Sequence, residues 1–206
     1  MIKICGLTNR EDLSRVAMLA PDAIGFVLAK SPRKVSIEEL PALTSMVPPG
    51  VSSFGVFVNP DEELVLKAIM VGGIDVVQLH GDEDPDFCKR FSPRVVKALR
   101  LRSEEDLERI KPYEGCVRGF LIDAWVEDQY GGTGRRVDLT LAARAIGMTE
   151  RPVILAGGLS PENLEEVLKE VRPYGVDVSS GVERSPGKKD LSLCKRFVNI
   201  ARSLGL

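Results

Sequence analysis

Short apolar runs alternate with amphipathic stretches along the chain, and residues that start or stop helices join them. Ile2 to Cys5 is the first run. Thr8-Asn9-Arg10-Glu11 then has capping-box spacing and predicts a helix with Leu13, Val16, Ala17 and Ala20 on one face. Ala23 to Leu28 is the second run, followed by a capping box at Ser36-Ile37-Glu38-Glu39. Val51 to Val58 is the third, closed by Asn59-Pro60-Asp61-Glu62, where Asn59 is expected to cap and Pro60 to take the first helical position. Ile74 to Leu79, Val95 to Leu99 and Gly119 to Ile122 follow. Val153 to Ala156 is the seventh, with Ser160-Pro161-Glu162-Asn163 starting its helix, and Val176 to Val178 is the eighth. A last helix is predicted from about Lys189 to Leu204, with Leu191, Cys194, Val198 and Ala201 on one face.

Strands that are apolar on both faces, each followed by a helical stretch, imply a parallel sheet covered by helices. Eight such units in 206 residues predict a closed (β/α)8 TIM barrel near its minimum size. An open doubly wound sheet is disfavoured because no Gly-x-Gly-x-x-Gly follows the first strand. No composition shift or linker marks a boundary, so residues 1–206 read as one domain.

Composition narrows the function classes. Hydrophobic residues are 44% and charged residues 28%, enough apolar content for a core and too much for disorder. Lys+Arg 28 against Asp+Glu 30, with no single-sign block, speaks against nucleic acid or a membrane surface as partner. No apolar run approaches the roughly 20 residues of a spanning helix, and the first residues do not read as a signal peptide. A cytoplasmic protein is expected. Cys5, Cys88, Cys116 and Cys194 lack Cys-x-x-Cys spacing and His80 is the single histidine, so no metal site is expected.

In a barrel, chemistry gathers at the C-terminal ends of the strands. The polar residues there are Cys5, Ser31-Pro32-Arg33, Asn59, Gln78, His80, Lys97, Arg100, Asp123, Gly157-Gly158 and Asp177 to Gly181. Cys5 fits either a small buried hydrophobe or a thiolate nucleophile or base; Cys88, Cys116 and Cys194 read as core. Asp123 ends the sixth run, and the next helix is predicted only from about Asp138, beyond Gly131-Gly132-Thr133-Gly134. Capping therefore explains it poorly, and the apolar run before it suggests a partly desolvated general acid. Gly157-Gly158 and Ser180-Gly181 follow the seventh and eighth strands, the usual phosphate-binding place in this fold. Arg33 fits a second anion, a carboxylate held by its guanidinium, and His80 fits either a loop hydrogen bond or the pocket wall.

These pieces in this order resemble the phosphoribosylanthranilate isomerase family, a set of small (β/α)8 barrels of tryptophan biosynthesis. The resemblance spans essentially the whole chain. It rests most specifically on Lys3-Ile4-Cys5-Gly6-Leu7-Thr8 and Ser179-Ser180-Gly181-Val182-Glu183. It implies an Amadori rearrangement without metal or organic cofactor. Asp123 would protonate the furanose ring oxygen, and Cys5 would remove the C2′ proton. Arg33 would hold the anthranilate carboxylate, the loops after strands seven and eight the phosphate, and Asp177 would contact the substrate.

The expected partner is a small phosphorylated substrate, and the expected assembly a monomer or homodimer. Two other readings compete. An aminoaldose isomerase of histidine biosynthesis resembles a pattern with aspartate ending the first strand, against Cys5 here. A non-catalytic phospholigand-binding barrel would not need both Cys5 and Asp123.

Overall fold

Eight strands hydrogen-bond in chain order and close on themselves: β1 (Ile2–Cys5), β2 (Ala23–Val27), β3 (Ser52–Phe57), β4 (Val76–Leu79), β5 (Val95–Arg100), β6 (Gly119–Asp123), β7 (Val153–Ala156) and β8 (Gly175–Val178). Every neighbouring pair is parallel, and β8 returns to β1 with Lys3 opposite Asp177. The structure, a computed structural model, describes residues 1–123, 125–126, 136–137 and 139–206. The predicted Gly131-Gly132-Thr133-Gly134 loop, Ala124 and the helix start at Asp138 lie outside the described residues.

The apolar runs fall on these strands, and the period of two along each strand divides the interior into two layers. Ile2 and Ile4 face outward and join Leu13, Val16, Phe197 and Val198 in the cluster between strands and helices. Ala23, Phe54, Val76, Val96, Leu121 and Ile154 fill the barrel itself. Each fully buried side chain of this size contributes about 1.5–3 kcal/mol.

The covering helices are α1 (Arg10–Ala17), α2 (Leu40–Thr44), α3 (Glu62–Met70), α4 (Pro85–Arg90), α5 (Leu139–Gly147), α6 (Leu164–Glu170) and α7 (Leu191–Ser203). Their starts differ from the predicted ones for identifiable reasons. Asn9 caps α1, accepting from the Asp12 N–H at 2.8 Å, while the Thr8 hydroxyl is drawn away to donate to the Gly187 carbonyl at 2.7 Å. Asp61 caps α3 through the Leu64 N–H at 2.7 Å. Asn59 instead turns the backbone at φ +46° and ties two loops, donating its N–H to Glu83 and accepting from the Asp82 N–H. The Ser36–Glu39 box forms, yet regular helix begins only at Leu40. After Ser160-Pro161, where the Asn163 side chain accepts the Ser160 N–H, helix starts at Leu164. The expected helix between β5 and β6 is two 3₁₀ segments, Glu104–Arg109 and Lys111–Tyr113; Pro112 removes a donor that a continuous α-helix would need.

Among the described residues no helix is long and apolar enough to cross a membrane.

Candidate active site

The inward positions at the C-terminal ends of the strands are polar. On β1 the alternation that sends Ile2 and Ile4 outward turns Lys3 and Cys5 inward; on β6 it turns Asp123 inward, and on β8 Asp177. Above them a cleft of about 800 Å³ opens, walled by the strand-to-helix loops. Cys5, Arg33, His80, Asp123, Gly157, Gly158, Asp177 and Ser180 all line it. Gly181 lies just behind: a Cβ there would meet the Leu159 carbonyl oxygen at 2.0 Å, so its missing side chain lets the loops after β7 and β8 touch.

Cys5 is buried, and burial pushes its thiol above the ordinary value; the ammonium groups of Lys3 and Lys189 pull it back, while Asp177 adds to the rise. Lys3 is fully buried, with Nζ 3.0 Å from Asp177 Oδ1 at angles outside hydrogen-bond geometry, and 5.2 Å from the centre of the Phe54 ring. Burial opposes its charge, but Asp177 and the Cys5 thiol hold its pKa above the ordinary value. Asp123 is less sequestered than the apolar run before it suggested. Its side chain is 20% exposed, and Arg100 Nε stands 3.9 Å from Oδ2. Burial lowers the His80 pKa, with the negative charge of Asp123 acting against it. The imidazole Nδ1 is 3.5 Å from the Gln78 side-chain nitrogen.

Buried polar atoms normally find partners, and each exception calls for an explanation such as a water, a ligand or a catalytic role. Among the described residues, Gln78 Oε1, His80 Nε2, Asp123 Oδ1 and, away from the cleft, Glu114 Oε1 have no hydrogen-bond partner, while Lys3 Nζ and Asp177 Oδ1 have only each other as an ion pair. Of these residues, Gln78, His80, Asp123 and Asp177 line the cleft.

Gly157 and Gly158 sit at φ +91° and +65°, conformations that a side chain strains. They turn the chain between β7 and α6, and the Gly158 carbonyl accepts from the Asn163 amide at 2.9 Å. Arg33 Nε bonds both carboxylate oxygens of Glu183 at 2.9 and 3.1 Å, and Nη2 bonds Oε2 at 2.6 Å. One edge of the guanidinium is thus taken, leaving the Nη1 donors and one on Nη2.

Two polar strand-end candidates do not belong to the cleft wall. Lys97 faces outward, where Nζ meets Glu83 at 2.8 Å and the Gly81 carbonyl at 2.6 Å, a buried structural pair. Asn59 serves the loop contacts described above. Cys88, Cys116 and Cys194 are buried away from the cleft. The sequence pattern alone assigns no role to Lys3, Glu183 or Lys189. A lysine between two outward isoleucines, two residues before Cys5, was the available signal for the first of these. No group of three or more potential metal ligands occurs among the described residues.

The family model described as N-(5'phosphoribosyl)anthranilate (PRA) isomerase matches residues 2–200. An N-(5'-phosphoribosyl)anthranilate isomerase of Pelobacter propionicus is 43% identical over 98% of this chain and 95% of its own. The crystal structure of phosphoribosyl anthranilate isomerase from Thermotoga maritima superposes with a TM-score of 0.88 at 38% identity, over 98% of each chain. A second, at TM-score 0.86, 36% identity and the same coverage, holds reduced 1-(o-carboxyphenylamino)-1-deoxyribulose 5-phosphate. With a polar cleft on a closed eight-stranded barrel and a match running nearly end to end, this chain belongs to the N-(5'-phosphoribosyl)anthranilate isomerase family.

Proposed function

We propose that this chain converts N-(5'-phosphoribosyl)anthranilate to 1-(2-carboxyphenylamino)-1-deoxyribulose 5-phosphate in the cleft between Cys5 and Asp123. The rearrangement is redox-neutral overall: the furanose C1′–O bond opens as nitrogen forms C=N and protons are transferred, so it asks for one acid and one base on the two sides of a bound sugar. Asp123, inward at the end of β6, gives a proton to the furanose ring oxygen, and the ring opens to a protonated Schiff base. The Cys5 thiolate, at the end of β1, removes the C2′ proton. The resulting enolamine tautomerises to the ketose.

Burial favours the neutral thiol, so the base is a minor thiolate population in the free protein, with the Lys3 ammonium the nearest favourable charge. Arg33 holds the anthranilate carboxylate through the donors that Glu183 leaves free. Gly157, Gly158, Ser180 and Gly181 receive the phosphate at the contact between the loops after β7 and β8. His80 and Asp177 line the floor, with His80 neutral at pH 7. The working unit is a monomer or a homodimer, in the cytoplasm.

The observation that carries this reading is the meeting of Cys5 and Asp123 in one cleft, with the two glycine-bearing loops on its rim. The test generates the substrate in situ and follows loss of its fluorescence. The parent protein should consume it. Asp123→Asn, which keeps the shape but cannot give the proton, and Cys5→Ser, whose hydroxyl is too weak a base, should each lower kcat by about 10²–10⁴ with substrate affinity nearly unchanged. Near-parental turnover in Cys5→Ser would return Cys5 to the core.

A further inference from the structure

Glu183 ends the Ser179–Glu183 segment, and the acid–base reading gives it nothing to do. Its side chain is only 4% exposed, yet two cations converge on it. Arg33 approaches with three contacts of 2.6 to 3.1 Å, and Lys189 Nζ reaches Oε1 at 2.9 Å. The Gly187 N–H completes the set at 3.3 Å. Burial alone would raise this carboxyl; the hydrogen bonds from Arg33 and Lys189 hold it below the usual carboxylate range.

The two cations lead in different directions. Arg33 reaches into the cleft from the loop after β2, where the substrate carboxylate is placed. Lys189, 1% exposed, donates from the same Nζ to the Ser179 carbonyl at 3.0 Å, immediately before Ser180 and Gly181. Its own backbone N–H is anchored on Asp12 at 2.9 Å, so it cannot swing away freely. Gly6 brings the two sides together: a Cβ there would meet Arg33 Cδ at 2.7 Å and Ser179 Oγ at 2.9 Å. A buried charge triad is a poor way to gain stability, since apolar packing of equal volume does as well. Its geometry fixes directions that apolar packing would leave free.

We propose that Glu183 is a positioning residue that sets the spacing of the two anion subsites, aiming Arg33 at the aryl carboxylate and, through Lys189, holding the Ser179–Gly181 loop for the phosphate. This rests on the subsite assignment made under Proposed function. The substrate's two anions sit at opposite ends of one molecule, so a fixed spacing selects ligands of one length. Binding energy at both ends then holds the sugar against the acid and base.

Glu183→Gln keeps the shape and one acceptor but removes the charge, and presents an amide to two cations. Inorganic phosphate and 2-aminobenzoate serve as separate competitive probes. Both inhibition constants should rise about tenfold or more in Glu183→Gln, with KM for the full substrate rising and kcat falling by a smaller factor. Arg33→Ala should weaken 2-aminobenzoate alone, and in that background Glu183→Gln should cost nothing further for that probe. Unchanged inhibition constants in a folded Glu183→Gln, or fully additive losses, overturn the proposal. Lys189→Met gives a second route should Glu183→Gln fail to fold: phosphate should weaken while 2-aminobenzoate keeps its affinity, and the reverse pattern overturns it. If Arg33→Ala leaves 2-aminobenzoate untouched and Gly158→Val leaves phosphate untouched, the subsite assignment itself falls, whatever Glu183 does.

Discussion

Lys3 and Cys5 stand two residues apart on the inward face of one strand, so the thiol's ionisation is set by a contest between burial and a fixed ammonium. Removing that ammonium in Lys3→Met should move the Cys5 titration further up, and removing the opposing charge in Asp177→Asn should move it down. The rate of iodoacetamide alkylation at Cys5 against pH, located by mass spectrometry, reads both. Equal midpoints in the parent and both variants would mean that the two charges do not govern the thiol. Arg33→Ala should chiefly raise KM, because it removes a charge-assisted grip worth roughly 1.5–3 kcal/mol; a fall in kcat larger than the rise in KM would place Arg33 in the transition state instead. At this scale the sequence was readable where a residue's position along its own strand decides its place. Cys5 and Asp123 are of that kind. Lys3 and Glu183 escaped because their meaning lies in partners, Asp177 and Arg33, more than a hundred positions away.

Strands were legible for the same local reason: apolar runs flanked by turn residues have no other way to hide both faces. Caps were less so, because a side chain that suits a helix start also suits a tertiary contact, as Thr8 with Gly187 and Asn59 with Asp82 demonstrate. The true cap of α3 gives a clean check. Asp61→Ala should cost about 1 kcal/mol in urea unfolding and leave KM alone, since the residue lies away from the cleft. The loop after β7 should respond in the opposite way. Gly158→Val puts a β-branched side chain at φ +65° on the rim of the cleft, so competitive inhibition by inorganic phosphate should disappear and KM should rise. A variant that still binds phosphate like the parent would place the phosphate elsewhere.

For the whole molecule, eight repeats of one unit were enough to infer a closed barrel, whereas the balance of buried ionisable groups appears only once the chain is folded. That balance fixes how stability depends on pH. Burial pushes the Cys88 thiol from 9.0 up to about 12 and that of Cys194 up to about 11, and raises Cys5 and Cys116 as well. In each case the folded state keeps a proton that the unfolded chain releases. Stability is therefore whole below about pH 9 and drains away as pH rises from there toward 11 and 12. Tyr113, also raised by burial, adds to the same slope from its ordinary value of 10.0 upward. His80 acts on the other side: its folded pKa lies below 6.5, so the unfolded chain takes up a proton first and stability falls as pH drops below that value. Glu183, held below its ordinary 4.5 by Arg33 and Lys189, begins to cost stability only below that value, whereas the histidine limb begins at 6.5. Urea midpoints at constant m-value should therefore be flat between about pH 6.5 and 9 and decline on both sides. Cys88→Ala lowers the whole curve by leaving a cavity, but it should also flatten the alkaline decline, and His80→Gln should flatten the acid limb without touching the alkaline one. An alkaline slope unchanged in Cys88→Ala would remove Cys88 from that decline and leave it to Cys194 and the other raised groups.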